Sequence, residues 1–182
     1  MMQKYDQDEW LMAQVRQGKR EQLDVLIRRH ATPVLTFLRR MVGDPHKSEE
    51  LFQETFLAVW RKRDQYEFPR PFKAWVYAIA LNQCRAHFRR RYLSFEADVT
   101  ALPEDVGPGP SEAAIATETA ALVGAAVARL PAQQRAIVML RIWEGLSYEE
   151  IAEAVGRSEG TVRSNMHHGL AALRSFLEPR LK

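Results

Sequence analysis

Four sets of side chains in this sequence have types and spacings suited to gripping another macromolecule. The first lies in residues 147–170, SYEEIAEAVGRSEGTVRSNMHHGL. Thr161, Ser164, His167 and His168 share one side of a helix there, with Arg163 at its margin, and Val162, Met166, Leu170 and Leu173 form an apolar stripe opposite. Hydroxyls, imidazoles and a guanidinium are groups that meet base edges and phosphates in a major groove. The second set is Asn82, Arg85 and Arg89, spaced three and four apart and extended by Arg90 and Arg91, a row able to follow a DNA backbone or groove edge. The third is QYEFPRPF, residues 65–72, whose aromatic rings, prolines and Arg70 can build a pocket that stacks an unpaired base. Phe68 and Phe72 read equally well as anchors of the core. The fourth is Glu50, Glu54 and Leu57 with Gln53 beside them, facing away from Phe52, Phe56, Val59 and Trp60. Acids around an exposed leucine are poor DNA contacts, and read either as a protein-docking patch or as the solvated back of a helix.

Chemistry of other kinds finds no support. The sequence has no phosphate-binding glycine loop, no CxxC pair and no HExxH, and no pair of acids is placed for catalysis. Neighbouring helical residues point ~100° apart, so His167 and His168 are not expected to share a metal. Cys84 is the only cysteine and sits among apolar neighbours, where a small core filler is expected rather than a redox sensor. The chain is expected to be no enzyme and to need no cofactor.

The elements that position these sets are helical throughout, with no sustained apolar/polar alternation and no Asn-Gly or Asp-Gly hairpin. Helices are expected over 8–29, 33–42 (with Pro33 in its first turn), 44–63 (Asp44 as N-cap and Pro45 behind it) and 72–91. The last of these carries apolar residues on most of its circumference and is expected to be central and largely buried. ALPEDVGPGP, residues 101–110, then places three prolines and two glycines in ten positions and reads as a linker. Further helices are expected over 111–129, 132–143, 148–155 and 159–176. In the last pair, Ser147 and Glu150 form a capping box, Gly156 suits a turn of positive φ, and Ser158 caps the next helix. Ala152, Gly156 and Val162 have the spacing of a helix-turn-helix. Charge follows the same division: residues 39–92 carry twelve basic and six acidic residues, 93–128 six acids and no Lys or Arg, and 129–182 eight basic and six acidic residues. Local basic excess of this kind suits a phosphate-binding surface. The fold class expected is all-α, two small helical domains joined by a flexible acidic linker. The polar, acidic start and the lack of an apolar run of ~18–20 residues point to a soluble, cytoplasmic protein with no membrane insertion.

Taken together, SEELFQETFLAVWRKRDQY, RPFKAWVYAIALNQCRAHFRRR and LPAQQRAIVMLRIWEGLSYEEIAEAVGRSEGTVRS resemble the extracytoplasmic-function group of sigma factors, the resemblance covering about residues 8–92 and 118–178. It implies a domain over 1–92 for core docking and minus-ten recognition, a linker over 93–117 near the RNA exit path, and a helix-turn-helix domain over 118–182 for the minus-thirty-five element. It implies that Glu50, Gln53, Glu54 and Leu57 dock on the β′ clamp helices of RNA polymerase core. Phe68 and Arg70 would belong to the loop that captures a flipped base, and Asn82, Arg85 and Arg89 to the helix meeting the upstream edge of that element. Thr161, Arg163, Ser164, His167 and His168 would read promoter DNA at minus thirty-five, the second domain would hold the β flap tip, and an anti-sigma factor is a possible partner. Three positions depart from the pattern: Lys47 where an acid is frequent, His168 where a basic residue is, and Gly169 where alanine is usual, which weakens that helix by ~1 kcal/mol. A conventional helix-turn-helix regulator accounts for the second half equally well, but not for the acid-faced helix, aromatic loop and Arg row of the first.

Overall fold

The computed structural model describes residues 6–95 and 118–180; most of the expected linker lies outside them. Among the described residues there is no strand. The helices are α1 (Asp6–Arg16), α2 (Arg20–Val42), α3 (Pro45–Arg61), α4 (Phe72–Phe95), α5 (Glu118–Ala128), α6 (Ala132–Ile142), α7 (Tyr148–Val155) and α8 (Glu159–Leu177), with single 3₁₀ turns at Arg63–Gln65 and Glu178–Arg180.

The N-terminal helices break elsewhere than expected. Gly18 takes φ 90°, a left-handed conformation open to glycine without strain, and splits the helix expected over 8–29. In contrast, α2 runs straight through Pro33. Proline there removes the N–H that would bond the Arg29 carbonyl, a loss of ~3 kcal/mol in an isolated helix. Burial of Leu26, His30, Val34, Phe37 and Leu38 along one face of α2 outweighs it. Gly43, at φ 77°, ends α2 by donating its N–H to the Arg39 carbonyl at 2.8 Å.

As expected, α4 is central. Ala74 through Tyr77, then Ile79, Ala80, Leu81 and Cys84, are all buried, with Tyr77 edge-on to Phe37 at 5.1 Å. Burial pushes the Cys84 thiol up to about 12, so the inert core filler is the reading that fits. On α3 the buried residues are Ser48, Leu51, Thr55, Phe56, Ala58 and Val59, whereas Phe52 and Trp60 are only half-buried.

In the second half, α7 begins with the expected capping box. Ser147 Oγ accepts from the Glu150 N–H at 3.1 Å, and the Glu150 carboxylate accepts from the Ser147 N–H at 2.6 Å. Gly156 turns the chain at φ 68°, and Ser158 Oγ accepts from the Thr161 N–H at 3.2 Å to start α8. The α8 stripe differs from expectation by one residue. Val162, Met166 and Gly169 are buried, while Leu170 is exposed. A Cβ on Gly169 would stand 2.8 Å from Val138 Cγ2 and 3.6 Å from Gln134 Cβ, so α6 and α8 approach closely only because that side chain is absent. Position 169 is therefore a packing requirement.

The two halves pack on each other, chiefly through α4 against α7 and α2 against α5 and α6. Each half caps a helix of the other. Arg85 donates to the Val155 carbonyl at the end of α7 at 2.7 Å, and Arg135 donates to the Met41 carbonyl at the end of α2 at 3.1 Å. A guanidinium at a helix C-terminus meets both unpaired carbonyls and the negative end of the dipole.

Candidate nucleic-acid interface

The outer face of α8 is built by what its inner face buries. With Val162 and Met166 in the core, Thr161, Arg163, Ser164, His167 and His168 are all exposed. Two of the five are held by their own domain. The Thr161 hydroxyl lies 2.9 Å from Ser158 Oγ at the helix start. Arg163 pairs with Glu159 at 3.1 Å and lies 4.3 Å over the Tyr148 ring. These contacts fix the guanidinium at the margin of the face, where a phosphate oxygen would meet it. The His167 and His168 rings are 5.9 Å apart, and no group of His, Cys, Asp or Glu able to hold a metal occurs among the described residues.

Loop 65–72 separates the two phenylalanines that the sequence left undecided. Phe72 is fully buried and Phe68 is 55% exposed. At the roots of the loop Tyr66 is fully buried too, its hydroxyl donating to the Arg70 carbonyl and its ring edge-on to Trp75 at 5.2 Å. Phe68 thus stands out from a loop pinned on both sides, the arrangement a stacking platform needs. On α4 the polar row is also present: Asn82, Arg85 and Arg89 are exposed, and Arg85 donates to Asn82 Oδ1 at 3.2 Å.

The second half lies against this row. Besides Arg85 on Val155, Arg70 pairs with Glu153 of α7 at 2.7 Å, and Lys73 pairs with Glu144 at 3.3 Å. Arg40 lies 4.9 Å from the Trp143 ring centre. A cleft of about 510 Å³ remains between Leu81, Cys84 and Phe88 on one side and Ala136, Val155 and Gly156 on the other. Two of the five residues assigned to the minus-ten set, Arg70 and Arg85, therefore face α7 in this arrangement, while Phe68 remains exposed.

Glu50, Gln53, Glu54 and Leu57 line one wall of a separate groove of about 970 Å³, whose opposite wall is Gln83, His87 and Arg90 of α4. Leu57 is 47% exposed. Asp44 caps α3 through the Lys47 N–H at 3.1 Å, and Lys47 Nζ is turned along the helix onto Glu50. A concave wall carrying acids and a leucine suits a helix of complementary charge.

Several residues at these sites escaped the sequence reading. Glu9 accepts from the Phe72 N–H, Tyr66 anchors the loop, and Glu144, Glu153 and Arg135 join the two halves. Only Glu9 left a readable trace, as an acid three residues before Met12 on an otherwise apolar face.

The family described as sigma-70 region 2 matches residues 26–93, and that described as sigma-70, region 4 matches residues 120–173. The ECF RNA polymerase sigma factor SigE of Mycolicibacterium smegmatis is 38% identical over 160 residues, spanning 85% of this chain but 61% of that protein. The ECF RNA polymerase sigma factor SigL of Mycobacterium tuberculosis is 31% identical over 153 residues, 82% of this chain and 85% of that protein. Among solved structures, the sigma factor RpoE bound to the anti-sigma factor NepR from Bartonella quintana superimposes with a TM-score of 0.75 at 24% identity, covering 85% of this chain and 96% of that one.

Proposed function

This chain belongs to the extracytoplasmic-function group of sigma factors, which join RNA polymerase core to direct promoter-specific transcription initiation, and from that premise we propose how its surfaces divide the work. Residues 118–182 read the minus-thirty-five element through Thr161, Arg163, Ser164, His167 and His168, and hold the β flap tip. Residues 1–92 dock on the β′ clamp helices through Glu50, Gln53, Glu54 and Leu57. The same domain reads and opens the minus-ten element through Phe68, Arg70, Asn82, Arg85 and Arg89, and residues 93–117 tether the two. The chain supplies binding and no catalysis, and works in the cytoplasm beside the polymerase. Among the described residues no helix is long and apolar enough to cross a membrane.

The observation that carries this reading is the contrast within loop 65–72, where Phe68 is 55% exposed between two fully buried aromatics. A ring held out in water by a loop pinned on both sides is free to stack, and a flipped base on it recovers part of the few kcal/mol that unstacking demands. The interdomain contacts add a second inference. Base capture by the loop that carries Arg70 and reading of the upstream edge by Arg85 require α7 to move off both residues, and core polymerase, by seating the two domains apart, supplies that separation. Specific promoter binding then belongs to the holoenzyme. A further partner under this reading is an anti-sigma factor, the kind of protein bound to RpoE in its solved structure.

Run-off transcription with purified core polymerase and a pool of random promoters tests the reading. The expected result is initiation at a shared pair of elements at fixed spacing, absent without this chain. A conventional helix-turn-helix regulator would instead bind its sites alone and initiate only when another sigma factor is added.

A further inference from the structure

The start of α4 lacks a local cap. A helix leaves its first N–H groups without internal partners, and a Ser, Thr, Asp or Asn just before it ordinarily supplies one acceptor. Here the preceding residues are Phe68, Pro69, Arg70 and Pro71, none of which has an acceptor side chain. The acceptor comes from 63 residues away: Glu9 Oε1, on α1, receives the Phe72 N–H at 3.0 Å. Glu9 is only 8% exposed. A carboxylate so placed is tolerated where it finds a donor and the positive end of a helix, and the α4 N-terminus offers both.

The other root of the loop is tied to α1 as well. Arg16 Nη1 donates to the Tyr66 carbonyl at 3.4 Å. Inside the loop, the Arg70 N–H donates to the Glu67 carbonyl at 2.8 Å, and the Tyr66 hydroxyl donates to the Arg70 carbonyl. Behind Phe72, the His30 ring packs at 5.2 Å, and His30 Nε2 stands 2.7 Å from Asp8 Oδ2. Asp8, Glu9 and Arg16 therefore grip the loop's surroundings from a single helix, while Glu67, Phe68 and Pro69 at the tip are exposed.

We propose that Glu9 is a positioning residue for strand opening, its carboxylate fixing the root of loop 65–72 at the Phe72 N–H and so setting where Phe68 and Arg70 stand. This rests on the base-capture reading of that loop. Glu9 touches no DNA and acts only through the loop. Its loss loosens the stacking platform without touching the docking groove on α3 or the outer face of α8.

The test uses the full chain assembled with core polymerase, carrying Glu9→Ala, Glu9→Asp, Glu9→Gln or Phe68→Ala. Two quantities are read with 2-aminopurine placed in the minus-ten element: the opening rate, and its ratio between promoters with the preferred and an altered base at the captured position. Glu9→Asp keeps the charge one methylene short of Phe72, so it covers the case in which Glu9→Ala fails to fold. For Glu9→Ala and Glu9→Asp, opening falls by about tenfold, the loss expected when a hydrogen bond to a charged group goes, and the base ratio falls toward one. Glu9→Gln, whose amide oxygen still accepts from Phe72, restores most of both, and affinity for core is unchanged throughout. The proposal is overturned if Glu9→Asp opens and discriminates like the parent, if Glu9→Gln is as defective as Glu9→Asp, or if opening falls with the base ratio intact. When Phe68→Ala is defective and Glu9→Asp is not, the proposal alone falls. If Phe68→Ala opens and discriminates normally, base capture itself fails and the role of Glu9 goes with it.

Discussion

The two surfaces assigned to DNA stand in different states in the isolated chain. On α8, Ser164, His167 and His168 face solvent, and Arg163 is braced by Glu159 and Tyr148 at the edge of an open face. On α4 and the loop before it, Arg70 and Arg85 are paired with Glu153 and the Val155 carbonyl of the other domain. One proposed reader is open to solvent and the other is partly covered by its neighbour. The difference teaches that the basic side chains suited to phosphate are equally suited to carboxylates and helix ends, so a binding row can double as a contact between domains.

The sharpest way to break this comparison begins inside the loop. Phe72→Ala is expected to destabilise the first domain by ~3–5 kcal/mol, as a fully buried phenylalanine does. Phe68→Ala is expected to leave the melting curve within ~0.5 kcal/mol while weakening promoter opening by ~1–3 kcal/mol. Equal stability losses in thermal melts of the two variants would make Phe68 a core residue and remove the platform.

Next, Ser164→Ala combined with His168→Ala is expected to lower promoter-specific transcription roughly tenfold with core affinity unchanged, since two single hydrogen bonds worth ~0.5–1.5 kcal/mol each are lost. Promoter strength that does not move in run-off assays would take these two out of the recognition set. The scaffold behind them is tested by Gly169→Ala. Helix propensity alone favours alanine by ~1 kcal/mol, but the new methyl meets Val138 at 2.8 Å, and overpacking of this kind costs ~1–3 kcal/mol. A lowered melting temperature, recovered by adding Val138→Ala, is the expected outcome; a raised one would mean that α6 yields freely.

The smallest expected effect sharpens the contrast most. Glu153→Lys turns the Arg70 pair into a repulsion. Because the two side chains are 28% and 46% exposed, the change is worth at most ~1 kcal/mol. It should raise affinity of the free chain for single-stranded minus-ten DNA a few-fold and leave duplex minus-thirty-five binding as it was. No change in single-strand affinity by fluorescence anisotropy would show that α7 does not obstruct that surface.

How much of this was legible in the sequence depends on the range of the forces involved. The helix-turn-helix was readable nearly residue by residue because Ser147, Glu150, Gly156 and Ser158 act on backbone groups within four positions of themselves. Elsewhere local rules misled. Pro33 reads as a helix start yet lies inside α2, because burial along 23 residues outweighs one missing donor. Gly18 passed unnoticed as a break, and Leu170 was placed in a stripe whose true member, Gly169, has no side chain to announce itself. The acid-and-leucine face of α3 and the Arg row of α4 were visible as faces of single helices, but the groove that α3 and α4 form together was not. The grip of Glu9 on Phe72 and the packing of α7 over Arg85 were not, because each joins residues more than 60 positions apart and no local pattern encodes the pairing.

In the free chain α7 lies over Arg70 and Arg85 of the row proposed for the minus-ten element, and the proposed function requires it to leave them in the holoenzyme. Fluorescent labels at two exposed positions, Glu67 beside the loop and Arg157 after α7, report that separation directly. The expected result is efficient energy transfer in the free chain and its loss when core polymerase is added, before any promoter DNA. Transfer that stays high in a holoenzyme able to open promoters would contradict it.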